Sequence, residues 1–133
     1  MKNEDNYKHS EISEKIIKSY YNVYNKLGYG FLEKIYEHAM LIELRKAGIN
    51  VVNQFMIKVF YDGTEVGNYF SDLFVEIAVI VEIKAAEGLA EEHEAQLINY
   101  LKTTNIEVGL FLNFGHKPSF KRKVFSNNFK TLI

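Results

Sequence analysis

Apolar residues recur at helical spacing in the first third of the chain. A stripe with one apolar residue every three or four positions is formed by Ile12, Ile16, Tyr20, Val23 and Leu27. This spacing predicts a helix that starts with Ser10 as its N-cap and ends before the glycines of residues 28–30. A second helix is predicted over residues 31–47, with Gly48 following its last turn as the C′ residue.

The pattern then changes to the alternation that is typical of strands. Residues 51–61 alternate, the pair Asp62-Gly63 is a hairpin-turn signal, and residues 64–75 are the returning strand. Residues 79–84 are mostly Val and Ile, which is typical of a central strand covered on both faces.

The last third of the chain predicts one more helix and two more strands. The helix opens with Glu91-Glu92 after a loop over residues 85–89. Residues 107–114 are a strand, and residues 120–125 add an edge strand after Pro118. The order α-α-β-β-β-α-β-(β) predicts an α/β domain.

Composition places the chain among ordinary globular domains. Its 133 residues are 47% apolar and 25% charged, which is enough for one domain, with residues 1–9 as a loose polar tail. The absence of cysteine excludes disulfides and thiolate metal sites. No run of about 18 apolar residues and no apolar leader segment occurs, so we expect a cytoplasmic protein without a membrane span.

The net charge of the chain limits how it could bind nucleic acid. The net charge of −1 disfavours tight binding to nucleic acid over a large area. The basic residues are concentrated near the end of the chain, at Lys117, Lys121, Arg122, Lys123 and Lys130. This segment is either a solvated strand or an edge that contacts phosphates, and the sequence favours neither.

Ionisable residues interrupt two neighbouring apolar strands. Asp72 lies in the strand before residues 76–78, while Glu82 and Lys84 share one face of the strand after them. A three-residue loop would place Asp72 directly opposite Glu82 on the same face, whereas a two-residue loop would place it opposite Ile83. The predicted strand bounds leave residues 76–78 as a three-residue loop, although Ile77-Ala78 is poor turn chemistry, which weakens this register.

Two carboxylates that face each other repel, and burying one of them without a partner is costly. The pair is therefore expected to hold a cation, and two carboxylates beside a lysine suit Mg²⁺ or Mn²⁺. The alternative is an ordinary hairpin whose acids and lysine are solvated. On the third predicted helix, His93, Gln96 and Tyr100 form one polar stripe, for which the alternative is ordinary helix surface.

These residues resemble a known family. The spacing D-x(9)-E-I-K of Asp72, Glu82 and Lys84 is similar to that of the PD-(D/E)xK nuclease superfamily. GFLEKIY at 30–36 resembles the signature of the GxxExxY proteins, a small-domain branch, and HEAQLINYL and GLFLNFG extend the likeness over residues 10–125. The resemblance implies a restriction-endonuclease-like αβββαβ core, with a mixed sheet flanked by helices and an extra N-terminal helix.

The resemblance also implies a metal site. Asp72 and Glu82 would bind one Mg²⁺ or Mn²⁺, together with the backbone carbonyl of Ile83. Glu33, the acid of the GxxExxY signature, would complete the shell directly or through water, because first-helix acids approach the metal in this superfamily. The metal would polarise a phosphoryl oxygen and activate water.

The remaining site residues surround that metal. Lys84 would orient or deprotonate the water, or stabilise developing negative charge. Gln96 and Tyr100 resemble the Q-x-x-x-Y element of recombination-type exonucleases, which supports the site and the nucleic-acid backbone.

The implied function is metal-dependent hydrolysis of phosphodiester bonds in DNA or RNA. The alternative is an inactive module on the same fold that binds nucleic acid or a protein. Small size and near-neutral charge favour a domain that works with a partner, as a homodimer or within a larger DNA-processing assembly. A plain dimerising protein is a third interpretation, which rests on the ten Phe and nine Tyr residues.

Overall fold

The computed structural model describes residues 8–87 and 91–133. The helices within these residues are α1 (Ser10–Leu27), α2 (Glu33–Lys46) and α3 (Glu91–Thr103). The strands are β1 (Val51–Tyr61), β2 (Thr64–Val75), β3 (Val79–Lys84), β4 (Val108–Phe114) and β5 (Pro118–Val124), followed by a 3₁₀ turn, Asn127–Phe129. None of the helices in these two ranges combines the length and the apolar character needed to cross a bilayer.

Two predicted helix starts are wrong by one or two residues. Ser10 is the first residue of α1 rather than its N-cap, because His9 adopts a left-handed conformation (φ 51°) and its carbonyl accepts the Ser13 N–H at 2.9 Å. Helix α2 begins at Glu33 rather than at residue 31, because the hydroxyl of Tyr36 holds the preceding loop. Gly48 has φ 76°, as the predicted C′ position requires.

The predicted tail and one predicted loop fall partly outside the described residues. Residues 1–7 and 88–90 belong to that part of the chain. Lys8, which was assigned to the tail, forms an ion pair with Glu107 at 3.4 Å.

The strands form one mixed sheet in the order β1-β2-β3-β4-β5. Strands β3 and β4 are parallel, and the other neighbouring pairs are antiparallel. The crossover from β3 to β4 contains α3, as a parallel pair requires. Strand β3 occupies the centre, and its residues Val79, Ile80 and Val81 are fully buried, which confirms the predicted central strand.

Helices cover both faces of the sheet. On one face α1 and α2 contribute to a core cluster whose fully buried members include Ile16, Tyr20, Tyr36, Met40, Leu44, Leu73 and Val81. On the other face α3 contributes to a second cluster with Ile57, Phe74, Ile80, Leu97, Leu101, Ile106 and Phe111. Each fully buried apolar side chain contributes about 1.5–3 kcal/mol, so both faces stabilise the sheet.

The loop between β2 and β3 has the predicted three residues, although it lacks good turn formers. Glu76 and Ile77 both adopt left-handed conformations, with φ 54° and 53°. The backbone N–H of Glu76 donates to the carbonyl of Asn50 at 2.9 Å, and the Glu76 carboxylate accepts from the Asn50 backbone at 3.3 Å. Contacts with the neighbouring α2–β1 connection therefore hold a turn that its own residues disfavour.

Candidate active site

Strands β2 and β3 separate at the predicted acids, Asp72 and Glu82, and form a fork there. Their register runs from Val75↔Val79 to Leu73↔Val81, so the next opposed pair is Asp72 and Glu82. The three ladder pairs have the predicted register, but Asp72 and Glu82 are not themselves a ladder pair, and they line different cavities. The Asp72 carboxylate does not simply stand beside that of Glu82, because its Oδ2 accepts the backbone N–H of Ile83 at 2.8 Å. The side chain of Asp72 therefore lies in the gap between the two strands.

Strand β2 changes faces around this point. Tyr69 and Phe74 both pack in the cluster beneath α3, although a regular strand would send residues five apart to opposite faces. Between them Ser71 is fully buried, and its hydroxyl donates to the Leu73 carbonyl. This irregular segment turns Asp72 towards β3.

The two carboxylates interact electrostatically. Burial, and then the negative charge of Asp72, raises the pKa of Glu82 to about 8. At neutral pH Glu82 therefore carries a proton for most of the time when no cation is bound. Two carboxylates that cannot both ionise are a donor pair suited to a hard divalent cation.

A cavity of about 170 Å³ lies on the α3 side of the fork. Its walls include four of the predicted site residues, Glu82, Lys84, Gln96 and Tyr100. Gln96 and Tyr100 of the α3 stripe thus lie beside Glu82, whereas His93 does not line this cavity. Among the described residues, no carboxylate lies within ion-pair distance of the Lys84 ammonium.

Tyr69 is a member of this site that sequence reasoning missed. Its ring stacks on that of Tyr100, with centroids 3.7 Å apart and planes 5° from parallel. Its buried hydroxyl meets no partner among the described residues in full hydrogen-bond geometry. The hydroxyl nevertheless lies near Glu82, and burial followed by that carboxylate's charge raises the pKa of Tyr69. Regular alternation places Tyr69 on the face opposite to Asp72, so the sequence did not reveal that β2 changes faces.

Glu33 and Asp72 line a second cavity of about 290 Å³, together with residues of α2 and β1. The Glu33 carboxylate accepts the backbone N–H of Ala85 at 3.1 Å. Glu33 therefore lies next to the fork, one residue beyond Lys84. Within residues 8–87 and 91–133, no three Asp, Glu, His or Cys side chains are grouped closely enough to hold a metal by themselves.

Glu37 and Gln54 also belong to the site. Glu37 is only 3% exposed, and it accepts hydrogen bonds from Gln54 Nε2 at 2.7 Å and Asn53 Nδ2 at 3.0 Å. The same Gln54 nitrogen lies 3.4 Å from Asp72 Oδ1. Both oxygens of Asp72 are thus held, one from β1 and one from β3. Glu37 follows Glu33 by one helical turn, which is the one sequence signal that could have found it.

The other candidates have mainly structural contacts. His93 is half-buried, and its Nδ1 lacks a partner among the described residues. In the basic segment, Lys123 forms an ion pair with Glu94 at 2.8 Å, and Lys130 donates to the carbonyls of Thr104 and Ile106. Arg122 donates to Ser13 Oγ at 3.3 Å and to the Lys8 carbonyl. These three residues therefore anchor β5 and the chain end to the domain.

Comparison with known proteins adds a family and a fold. Residues 10–123 match the family model of the PD-(D/E)XK nuclease superfamily. No curated protein matches the chain. Among solved structures, the crystal structure of SSO0001 is similar, with a TM-score of 0.51 and 19% sequence identity over 91% of this chain and 61% of that chain. At this identity the likeness concerns the fold, and the present chain spans about 61% of the other chain's length.

Proposed function

The chain belongs to the PD-(D/E)XK nuclease superfamily, and we propose on that basis that it hydrolyses phosphodiester bonds of DNA or RNA in a metal-dependent reaction. The observation that carries this proposal is the fork, where Asp72 opposes Glu82 and Lys84 shares a cavity with Glu82. We further propose that it belongs to the GxxExxY branch. Gly30 has φ 105°, and Tyr36 holds the loop before Glu33, so the signature residues have related structural tasks.

The donor set suits a hard divalent cation. Asp72 and Glu82 would hold Mg²⁺ or Mn²⁺ with the Ile83 carbonyl, and Glu33 would join through water. The buried hydroxyl of Tyr69 lies beside Glu82, so this position of the site is polar. The chemistry that such a cation supplies when bound is polarisation of a phosphoryl oxygen and activation of water for attack.

Lys84 is the residue we assign to the reacting phosphate. Its ammonium has no carboxylate within ion-pair distance in the described part of the chain, so its donors are available to oxygen atoms of a substrate. It would orient the attacking water or stabilise the negative charge that grows on the phosphoryl group.

Gln96 and Tyr100 would position the substrate. The exposed Gln96 amide lies at the mouth of the cavity and can donate to a phosphate oxygen. Tyr100 is stacked on Tyr69, so its ring is fixed before any substrate arrives. Because the Tyr100 ring is already fixed, less conformational entropy is lost when a substrate binds.

Cleavage of a substrate panel tests the proposal. Purified protein with Mg²⁺ or Mn²⁺ should cut single-stranded, duplex or branched DNA, or RNA, and EDTA should stop the reaction. Lys84→Ala should abolish cleavage while melting within a few degrees of the original protein. The matched control is Lys58→Ala, because Lys58 is an exposed lysine of β1 whose side chain forms an ion pair with Glu65.

One observation favours a second function, an inactive module that binds nucleic acid or protein. Without a metal the fork is already partly satisfied, since Asp72 accepts the Ile83 N–H and Glu82 is protonated at neutral pH. No cleavage of any substrate, combined with tight binding of one of them in EDTA, would favour this function over catalysis.

A further inference from the structure

A third cavity, of about 370 Å³, lies beyond the fork along the end of β3. Two loops form its walls, and a short segment after β3 forms its floor. The lining includes Tyr29, Phe31, Ala85, Ala86 and His116. The metal and phosphate chemistry proposed above does not use this cavity.

Two tyrosines hold both wall loops from behind, and of these Tyr36 is fully buried and Tyr24 is partly buried. The Tyr36 hydroxyl donates to the Gly28 carbonyl at 2.6 Å and accepts the Phe31 N–H at 3.2 Å. The Tyr24 hydroxyl lies 2.6 Å from the Gly115 carbonyl and 2.8 Å from that of the next residue. The walls are therefore held by tyrosine hydroxyls of α1 and α2.

The floor is held equally closely. Asn113 is fully buried, and its amide donates to the Ala86 carbonyl at 3.0 Å and accepts the Ala86 N–H at 3.1 Å. A Cβ atom on Gly115 would lie 1.8 Å from the Ala86 carbonyl oxygen, so only glycine fits there. A segment with this many specific contacts keeps one shape when the cavity is empty.

The fixed frame exposes aromatic rings. Tyr29 is 54% exposed although its ring lies 4.1 Å from that of His116, and Phe31 is 42% exposed. Exposed rings on a rigid frame offer apolar faces that a flat partner can cover without ordering a loop. Aromatic side chains of this kind are the usual stacking platforms for unpaired nucleic-acid bases.

The cavity borders the candidate active site along the chain, although the two share no lining residue. Ala85 and Ala86 directly follow Lys84, and two residues span at most about 7 Å. Glu33 joins the regions, since it lines the cavity of Asp72 and accepts the Ala85 N–H that borders the third cavity. A strand with a phosphate at Lys84 would therefore bring a neighbouring base to Tyr29.

We propose that this cavity is a stacking subsite for one unpaired base next to the phosphate that Lys84 contacts. The proposal rests on the proposed nuclease function, and it makes the preferred substrate single-stranded nucleic acid or a strand with an unpaired base beside the cleaved bond. A base within a duplex has both faces covered by its neighbours, so it has to be extruded before it can stack here. The occupant is an unpaired base, and its partners are Tyr29, Phe31 and His116.

Binding without turnover tests the subsite. The probe is a fluorescent oligonucleotide, single-stranded or annealed to its complement, titrated with the full chain in EDTA at low salt and followed by anisotropy. Tyr29→Ala should weaken single-strand binding about 5- to 100-fold and change duplex binding less than about twofold, since stacking acts on unpaired bases. Tyr29→Phe should restore the affinity, because it keeps the ring.

The control is Tyr61→Ala, which removes another exposed tyrosine at the end of β1, and which should leave both affinities unchanged. Unchanged single-strand affinity of Tyr29→Ala overturns the subsite, and so does an equal loss for duplex. If the original protein binds no nucleic acid, the subsite is also wrong, and the exposed rings are then left for a protein partner. Tyr29-dependent binding without any cleavage would uphold the subsite and refute the nuclease. Cleavage together with an unchanged single-strand affinity of Tyr29→Ala would refute the subsite and uphold the nuclease.

Discussion

Replacing Glu82 by glutamine should stabilise the metal-free protein at neutral and alkaline pH. Burial and the Asp72 charge raise the pKa of Glu82 from 4.5 to about 8. Between these two values the folded protein binds a proton that the unfolded chain has released, so the free energy of unfolding falls as pH rises through this window. The loss amounts to about 3 kcal/mol at pH 7 and about 5 kcal/mol above pH 8.

Glutamine cannot ionise, so Glu82→Gln removes this pH dependence of the free energy of unfolding. Urea denaturation of both proteins in EDTA at pH 5, 7 and 9 measures the difference. The two proteins should differ by less than about 1 kcal/mol at pH 5, and Glu82→Gln should be more stable by several kcal/mol at pH 9. Glu65→Gln is the control, since Glu65 is an exposed acid in the β1–β2 hairpin. If the original protein loses no more stability than Glu82→Gln between pH 5 and pH 9, the argument of a buried, coupled carboxylate pair is refuted.

Two further predictions concern the neighbours of Glu82. Asp72→Asn keeps an oxygen that can accept the Ile83 N–H but removes the like charge, so its metal-free melting temperature should rise by roughly 3–6 °C per kcal/mol gained. Its stabilisation by Mn²⁺ should disappear, and a lower melting temperature with a full response to Mn²⁺ would show that Asp72 is only a structural acceptor. Gln54→Ala should weaken Mn²⁺ binding severalfold in thermal-shift titrations, because Asp72 Oδ1 loses its neighbour on β1. The control is Asn68→Ala in the exposed part of β2, and equal Mn²⁺ midpoints for the two variants would contradict this role.

Local patterns in the sequence determined the elements and the pairing of the acids. The bounds predicted for residues 51–61, 64–75 and 79–84 are those of β1, β2 and β3. Alternation and apolar composition are properties of neighbouring residues, so they are readable without a partner strand. The opposition of Asp72 and Glu82 followed from the length of the loop between their strands.

The side-chain directions at the fork required the tertiary structure. Regular alternation would put Tyr69 on the face opposite to Asp72, but β2 changes faces before Phe74, and Tyr69 and Phe70 both line the cavity of Glu82. The twist of a strand depends on how neighbouring elements pack against it, and the two-residue alternation of side chains carries no information about that packing. The left-handed turn at residues 76–78 has the same origin, since Asn50 supports it from another loop.

Only the folded chain brought Glu37 and Gln54 to Asp72. The Asp62-Gly63 turn taken alone would set Gln54 opposite Ser71, and a bulge in the hairpin shifts the register by one residue. Docking of α2 then buries Glu37 against the Gln54 amide. A bulge and a docked helix are stabilised by contacts between residues far apart in the chain. The sequence therefore predicted the candidate site residues, while packing between distant segments decided which residues hold them in place.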